Sequence, residues 1–419
     1  MVGNQLGSRT SKLKTLANYD RIFTMSFLFG GKKIRRGESV AVFDVGSGSV
    51  GYAILKVGGT SHRQGGAGGL SMESAGRVEM VFAGKPEPER FSAGMLKALG
   101  EAAEALRKSS PKIPSRIFCI LSSPWHVSQT RVISYKKDKP FIFHDFMLEE
   151  IIRKEEENFM KSAAPSSGER GRIIEKKAVK VRLNGYETHT PYGKKAVSAE
   201  ISCYFSTVPE IIFSKMTEVL EKKMGSAPIE FHSFSMAIFS VMRDIYSRSD
   251  AFLVVNVGGQ ISEVLFVKEN VLLESASFPI GRNNFLRGLS SAGHAPSAAS
   301  LARLHSEKAI TPEETESFAR NAGLVKESWL GYFRKSLIAM ASEFYLPETV
   351  FLLADRSISA PVAEAISGEK FSQMTFTESP FNIFYIAPES FEKYCSVNAC
   401  QPDSALIIEA IFAQKLAEI

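Results

Sequence analysis

Between Val40 and Val57 the chain reads V-A-V-F-D-V-G-S-G-S-V-G-Y-A-I-L-K-V. An apolar run to Phe43 meets an acid at Asp44 and small residues from Gly46 to Ser49, and apolar alternation then resumes at Tyr52, Ile54 and Val57. That order specifies strand, tight turn, strand. Gly46, Gly48 and Gly51 also spell G-x-G-x-x-G. A dinucleotide-binding turn, however, opens a helix and is followed about 20 residues later by an acid ending a second strand. Here Tyr52–Val57 has strand chemistry, and a Gly/Ser-rich loop follows. A hairpin turn can instead offer successive N–H groups and hydroxyls to a phosphate, while a strand-end carboxylate holds Mg²⁺ through water. Asp44, Gly46, Ser47, Gly48 and Ser49 suit that task; an ordinary glycine hairpin is the plainer alternative.

A second stretch, Phe252–Val267, repeats the design: F-L-V-V-N-V-G-G-Q-I-S-E-V-L-F-V, with Asn256 at the strand end and Gly258-Gly259 in the turn. Asn270 marks a further hairpin, and the next strand ends in P-I-G at Pro279–Gly281. Two such hairpins resemble the pair with which actin-like ATPases clamp a nucleotide between two lobes. L-N-G-Y at Leu183–Tyr186 and P-Y-G-K-K-A at Pro191–Ala196 precede the second hairpin. With them the chain resembles the FtsA/PilM branch of that superfamily over roughly residues 25–419.

The resemblance implies an α/β, two-lobed actin-like fold with an inserted α+β module of SHS2 type. The expected segments are a basic tail at 1–36, a first lobe at 37–85 and 205–250, the insertion at 86–204, and a second lobe at 251–419. It implies ATP with Mg²⁺ as ligand, Asp44 holding the metal through water, and phosphate contacts from the first turn and from Asn256, Gly258, Gly259 and Gln260. The adenosine side falls on Ala354 and Asp355, where relatives carry a glycine-rich turn. Ala302 and His305 stand where relatives place a Glu and a Lys against the nucleoside. Asn256 replaces the usual acid, and an amide lacks the charge that helps polarise an attacking water. Weak or absent hydrolysis follows.

Charge is distributed unevenly. Residues 1–36 hold eight Lys and Arg against Asp20, although the whole chain carries only +6. A nearly neutral body with a basic tail suits an anionic membrane surface. Phe27, Leu28 and Phe29 ahead of four cations fit a headgroup boundary. The cations lack interleaved aromatics beyond Phe27 and Phe29, so no nucleic-acid partner is expected. No apolar run reaches the roughly 18 residues that span a bilayer, and no signal peptide is recognisable. A cytoplasmic protein peripheral to the inner face of the membrane is the expectation. Cys119, Cys203, Cys395 and Cys400 are irregularly spaced and read as ordinary thiols.

Ser123 and His126 in S-S-P-W-H lack a placed acid, so that stretch reads as a strand-ending turn rather than a triad. The run Glu155–Glu157 reads as a solvated helix face. The apolar segment from Ser404 carries Asp403, Glu409 and Glu418 against Lys415, the wrong sign for anionic lipid, and reads as a helix packed on the core.

The resemblance first implies a cell-division scaffold of FtsA type that uses ATP as an assembly ligand, possible self-association into filaments or rings, and a membrane-associated partner on the insertion. The alternative is a PilM-like pilus-assembly component that binds the tail of an inner-membrane protein. A member without nucleotide, an active ATPase and a sugar kinase of the same fold are the further readings.

Overall fold

The computed structural model describes residues 37–58, 69–80, 87–110, 112–163, 170–247, 249–289, 312–342, 344–368, 371–375, 379–398 and 400–418. The basic tail and the positions Ala302 and His305 lie outside the described residues.

Strand β1 (Ser39–Val45) is buried on both faces. Val40 and Val42 enter one core while Ala41, Phe43 and Val45 enter another, the alternation of a central strand. It pairs antiparallel with β2 (Ser49–Val57) and parallel with β4 (Arg116–Leu121). With β3 (Leu70–Glu79), β9 (Ile229–Ser233) and β15 (Ser396–Val397) the first sheet has the order β15-β3-β2-β1-β4-β9.

The second sheet repeats the arrangement around β10 (Ala251–Val257), which sends Phe252 and Val254 to one side and Leu253, Val255 and Val257 to the other. Its neighbours are β11 (Ser262–Lys268), β12 (Val271–Phe278), β13 (Thr349–Ala354) and β14 (Asn382–Tyr385), in the order β12-β11-β10-β13-β14.

Helices α4 (Phe234–Ile245) and α8 (Ser404–Glu418) fill the space between the sheets and share one core with both. Both are apolar nearly all round, as a helix covered on two sides must be. Each Leu, Ile or Phe they bury contributes about 1.5–3 kcal/mol. Helices α1 (Pro88–Ser109) and α3 (Glu210–Met224) cover the outer face of the first sheet through Met95, Leu99, Leu106, Met216 and Leu220. Helices α6 (Pro312–Ala341) and α7 (Arg356–Ser367) cover the second through Trp329, Phe333, Ile358 and Val362.

The insertion is a sheet of order β5-β8-β6-β7, built from β5 (Val127–Ile142), β6 (Gly171–Leu183), β7 (Tyr186–Glu187) and β8 (Lys195–Pro209). Helix α2 (Asp145–Ala163) packs on it through Leu148, Ile152 and Phe159. L-N-G-Y makes the β6–β7 turn, with Asn184 at φ 52° and Gly185 at φ 83°, the left-handed pair that a two-residue hairpin demands.

Two expected boundaries move. Helix α1 and strand β4 belong to the first lobe, because Ile117 to Leu121 pair with β1 and β9, so the insertion begins at β5 rather than at residue 86. The C-terminal segment leaves the second lobe, since Ser396 and Val397 pair with β3.

A buried carboxylate joins the insertion to the body. Glu175 on β6 is fully buried and accepts from the Ser233 N–H (3.1 Å), the Ser233 hydroxyl and His232 Nδ1 (3.1 Å). Ser233 in turn caps α4. Burial raises the Glu175 pKa, but Lys177 at 3.6 Å and these hydrogen bonds bring it down to about 2. From the same strand, Lys180 donates to the Glu269 carbonyl and carboxylate, both at 3.0 Å, at the β11–β12 hairpin of the second lobe. The folded pKa of Glu175 lies below its ordinary 4.5, so this joint contributes fully above that pH and weakens as pH falls toward 2. Glu175→Ala is expected to lower stability at neutral pH by about 3–5 kcal/mol. It should also flatten the acid limb of the stability profile, read by denaturant titration at stepped pH.

Candidate functional site

The two glycine turns meet. In each the chain closes the same way: Gly46 N–H donates to the Ser49 carbonyl and Gly258 N–H to the Ile261 carbonyl, both at 3.0 Å. The Ser47 hydroxyl accepts from the backbone N–H groups of Gln260 (2.9 Å) and Ile261 (3.2 Å). A Cβ on Gly48 would stand 2.7 Å from Gly259 Cα, and one on Gly259 would overlap the Gly48 backbone. Only glycine permits this approach.

Helix α5 (Arg282–Leu289) steadies the second turn, its Arg282 and Asn283 N–H groups donating to the Gly258 and Gly259 carbonyls at 2.8 Å. The P-I-G glycine follows from the same crowding, as a Cβ on Gly281 would lie 2.5 Å from the Gly258 carbonyl oxygen. On the first lobe, Trp125 Nε1 donates to the Gly46 carbonyl at 2.8 Å. S-S-P-W-H is thus a turn, and it braces the hairpin.

Three residues not singled out for the cleft surround Asp44: Arg77, Asp403 and Glu409. Arg77 on β3 donates to Asp44 Oδ2 (2.6 Å), Ser49 Oγ (3.0 Å) and Asp403 Oδ2 (2.7 Å). Burial opposes the Arg77 charge, but Asp44 and Asp403 outweigh it and raise the pKa, so the guanidinium stays charged. Burial holds the Asp44 carboxyl above its usual range despite that partner. Glu409 on α8 lies fully buried beside them, its pKa raised well above the usual carboxylate range by burial and by Asp44, so it is neutral. Arg282 donates to Glu79 Oε2 at 2.6 Å and lies 3.7 Å from Asp355.

Two signals in the sequence point this way. Gly51 stands opposite Arg77 in the ladder, and a Cβ there would lie 3.0 Å from Arg77 Nη2. Glu409 is an acid set among apolar neighbours from Leu406 to Phe412. The partners themselves are separated by too much chain for spacing to reveal.

The remaining candidates take other work. Asn256 lines the cleft opposite Glu263 in the ladder. The buried Glu263 accepts from Ser123 (3.2 Å) and Ser235 (2.9 Å). The Gln260 side chain accepts from Arg287 at 2.8 Å. Ala354 ends β13, and Asp355 caps α7 by accepting from Ser357 N–H at 2.9 Å.

The fold implies a nucleotide with a divalent metal in this cleft, and the residues do not fit it in this arrangement. The hairpins touch, the Gln260 and Ile261 amides of the second turn already donate to Ser47, and Asp44 is paired with Arg77. Asp44, Gly46, Ser47, Gly48, Ser49, Asn256, Gly258, Gly259, Ala354 and Asp355, expected to hold Mg²⁺ and nucleotide, all line the same cleft, and Gln260 stands beside it in the second turn. A cavity of about 1290 Å³ opens beside the contact, lined by seven carboxylates against three guanidiniums, which disfavours a polyanion. Among the described residues no group of three or more His, Cys, Asp or Glu is placed to hold a metal, and the four cysteines are free.

No protein-family model matches the chain, and no curated protein matches its sequence. Solved structures do. A chain of a PilM-PilN type IV pilus biogenesis complex superposes with a TM-score of 0.57 at 14% identity, covering 91% of this chain and 98% of that one. A Bacteroides thetaiotaomicron protein with actin-like ATPase fold and unknown function gives 0.41 at 8% identity, over 90% and 96% of the two chains. The ethanolamine utilization protein EutJ from Carboxydothermus hydrogenoformans also gives 0.41 at 8%, over 91% and 92%. The chain has the actin-like ATPase fold.

Two substitutions probe the cleft. Gly48→Ala must push the lobes apart and should cost about 1–3 kcal/mol in denaturant unfolding. Glu409 binds its proton more tightly folded than unfolded, so above its ordinary 4.5 it lowers stability by up to about 1.4 kcal/mol for each pH unit. Glu409→Gln should therefore stabilise the protein, by more at pH 8 than at pH 5.

Proposed function

We propose that this chain is a non-catalytic adaptor of the PilM kind, which holds a membrane-anchored partner in a pilus-type assembly at the inner face of the membrane. The observation that carries the reading is its likeness to a chain of the PilM-PilN complex along nearly the whole length of both. The likeness favours the pilus reading over the division scaffold of FtsA type. Asn256 at the second strand end supports a role without turnover, since it supplies no charge to a metal or an attacking water. The insertion supports a docking role, because β6 is bonded to both lobes and a partner bound there would be presented on a fixed frame. Among the described residues no helix is long and apolar enough to cross a membrane, and in this reading the anchor belongs to the partner. The basic segment at 1–36, outside the described residues, would add attraction to anionic lipid.

The test is titration of the full chain with the PilN-type protein of the same organism, its cytoplasmic segment intact. A complex with a dissociation constant near or below about 1 μM, or −8.2 kcal/mol, is expected. Failure to form any complex overturns the reading.

A further inference from the structure

We propose that the chain fills its own nucleotide cleft: the Ser47 hydroxyl occupies the seat of a phosphate oxygen and the Arg77 guanidinium that of the divalent cation, so the lobes stay closed without nucleotide.

The phosphate seat is defined by geometry. Consecutive backbone N–H groups of a tight turn form a concavity that binds anionic oxygen. In the second turn those of Gln260 and Ile261 converge on Ser47 Oγ, reaching across from the other lobe. A hydroxyl presents lone pairs without bringing a charge into the buried turn. Gly48 and Gly259 have backbones in contact, so no further atom fits between the turns.

The cation seat is defined by charge. Asp44 is 4% exposed, and its neighbour within reach is a guanidinium held on three sides by Asp44, Ser49 and Asp403. Arg77 comes from the strand beside the hairpin and lies over Gly51, whose missing side chain gives it passage. A divalent ion approaching Asp44 would have to displace a cation already hydrogen-bonded to Asp44, Ser49 and Asp403. The closed state has further ties between the lobes: Arg282 to Glu79 at 2.6 Å, and Ser123 to Glu263 at 3.2 Å. The excess of carboxylates around the cavity mouth acts in the same direction, against a triphosphate.

The inference concerns the cleft alone and holds whichever partner the chain binds. Its test is the melting temperature of the full chain with millimolar MgCl₂, Mg-ATP or pyrophosphate. The wild-type protein is expected to show no shift. A rise of about 3 °C with Mg-ATP, the scale of a ligand at about a hundred times its dissociation constant acting on a chain of this length, would overturn the proposal. Arg77→Ala leaves the acids without their cation and is expected to fold only with MgCl₂ present, or to gain a shift of that size from MgCl₂. Refolding equally well, or equally badly, with and without MgCl₂ would remove the cation half. Ser47→Ala frees the two amides and is expected to gain a shift with pyrophosphate; no gain would remove the phosphate half.

Discussion

The contact between Gly48 and Gly259 sets the geometry of everything around it. Two backbones meeting without side chains bring one hairpin from each sheet to a common point, and this fixes the sheets at their outer ends. Their inner faces are fixed by α4 and α8, which share one apolar core with both. The lobes are therefore joined at the turns by hydrogen bonds and behind the turns by burial. Separating them would expose both the core and the amides that Ser47 satisfies. An unmet buried amide is costly, about 1–3 kcal/mol, so the contact is strongly favoured once made.

Charge organises the cleft differently from the chemistry the fold implies. Three carboxyl groups, Asp44, Asp403 and Glu409, come from different parts of the chain and surround one guanidinium. One cation faces these three carboxyl groups, and burial, then the neighbouring Asp44, raises the Glu409 pKa well above the usual carboxylate range. The C-terminal segment brings two of these acids and also adds a strand to the first sheet. It thus belongs to the cleft as much as to the core.

The N-terminus of α4 is a second organising point. Ser233 caps the helix and is bonded to Glu175 of the insertion, and Ser235 in its first turn donates to Glu263 of the second lobe. First lobe, second lobe and insertion thus converge on one helix end, where the partial positive charge of the peptide dipoles favours both buried carboxylates. A load on the insertion reaches the lobes through this helix end and through Lys180 at Glu269.

Both hairpins, the turn at S-S-P-W-H and the core-packed last helix were legible in the sequence, because each depends on neighbours within a few residues. Alternating apolar side chains, paired glycines and an all-apolar run are local statements. The Asn184-Gly185 turn is equally local. The extent of the insertion was not legible, since strand chemistry is the same whether Ile117 to Leu121 pair with β1 or begin a separate module. The chemistry of the cleft was hidden for the same reason. Asp44, Arg77, Asp403 and Glu409 are far apart in the chain, and only folding makes them neighbours. The sequence by itself determined that two glycine turns would sit at strand ends, because backbone sterics and apolar periodicity act locally. Tertiary structure alone decided that the turns touch and that Arg77 meets Asp44, because long-range packing assigns each charge its partner.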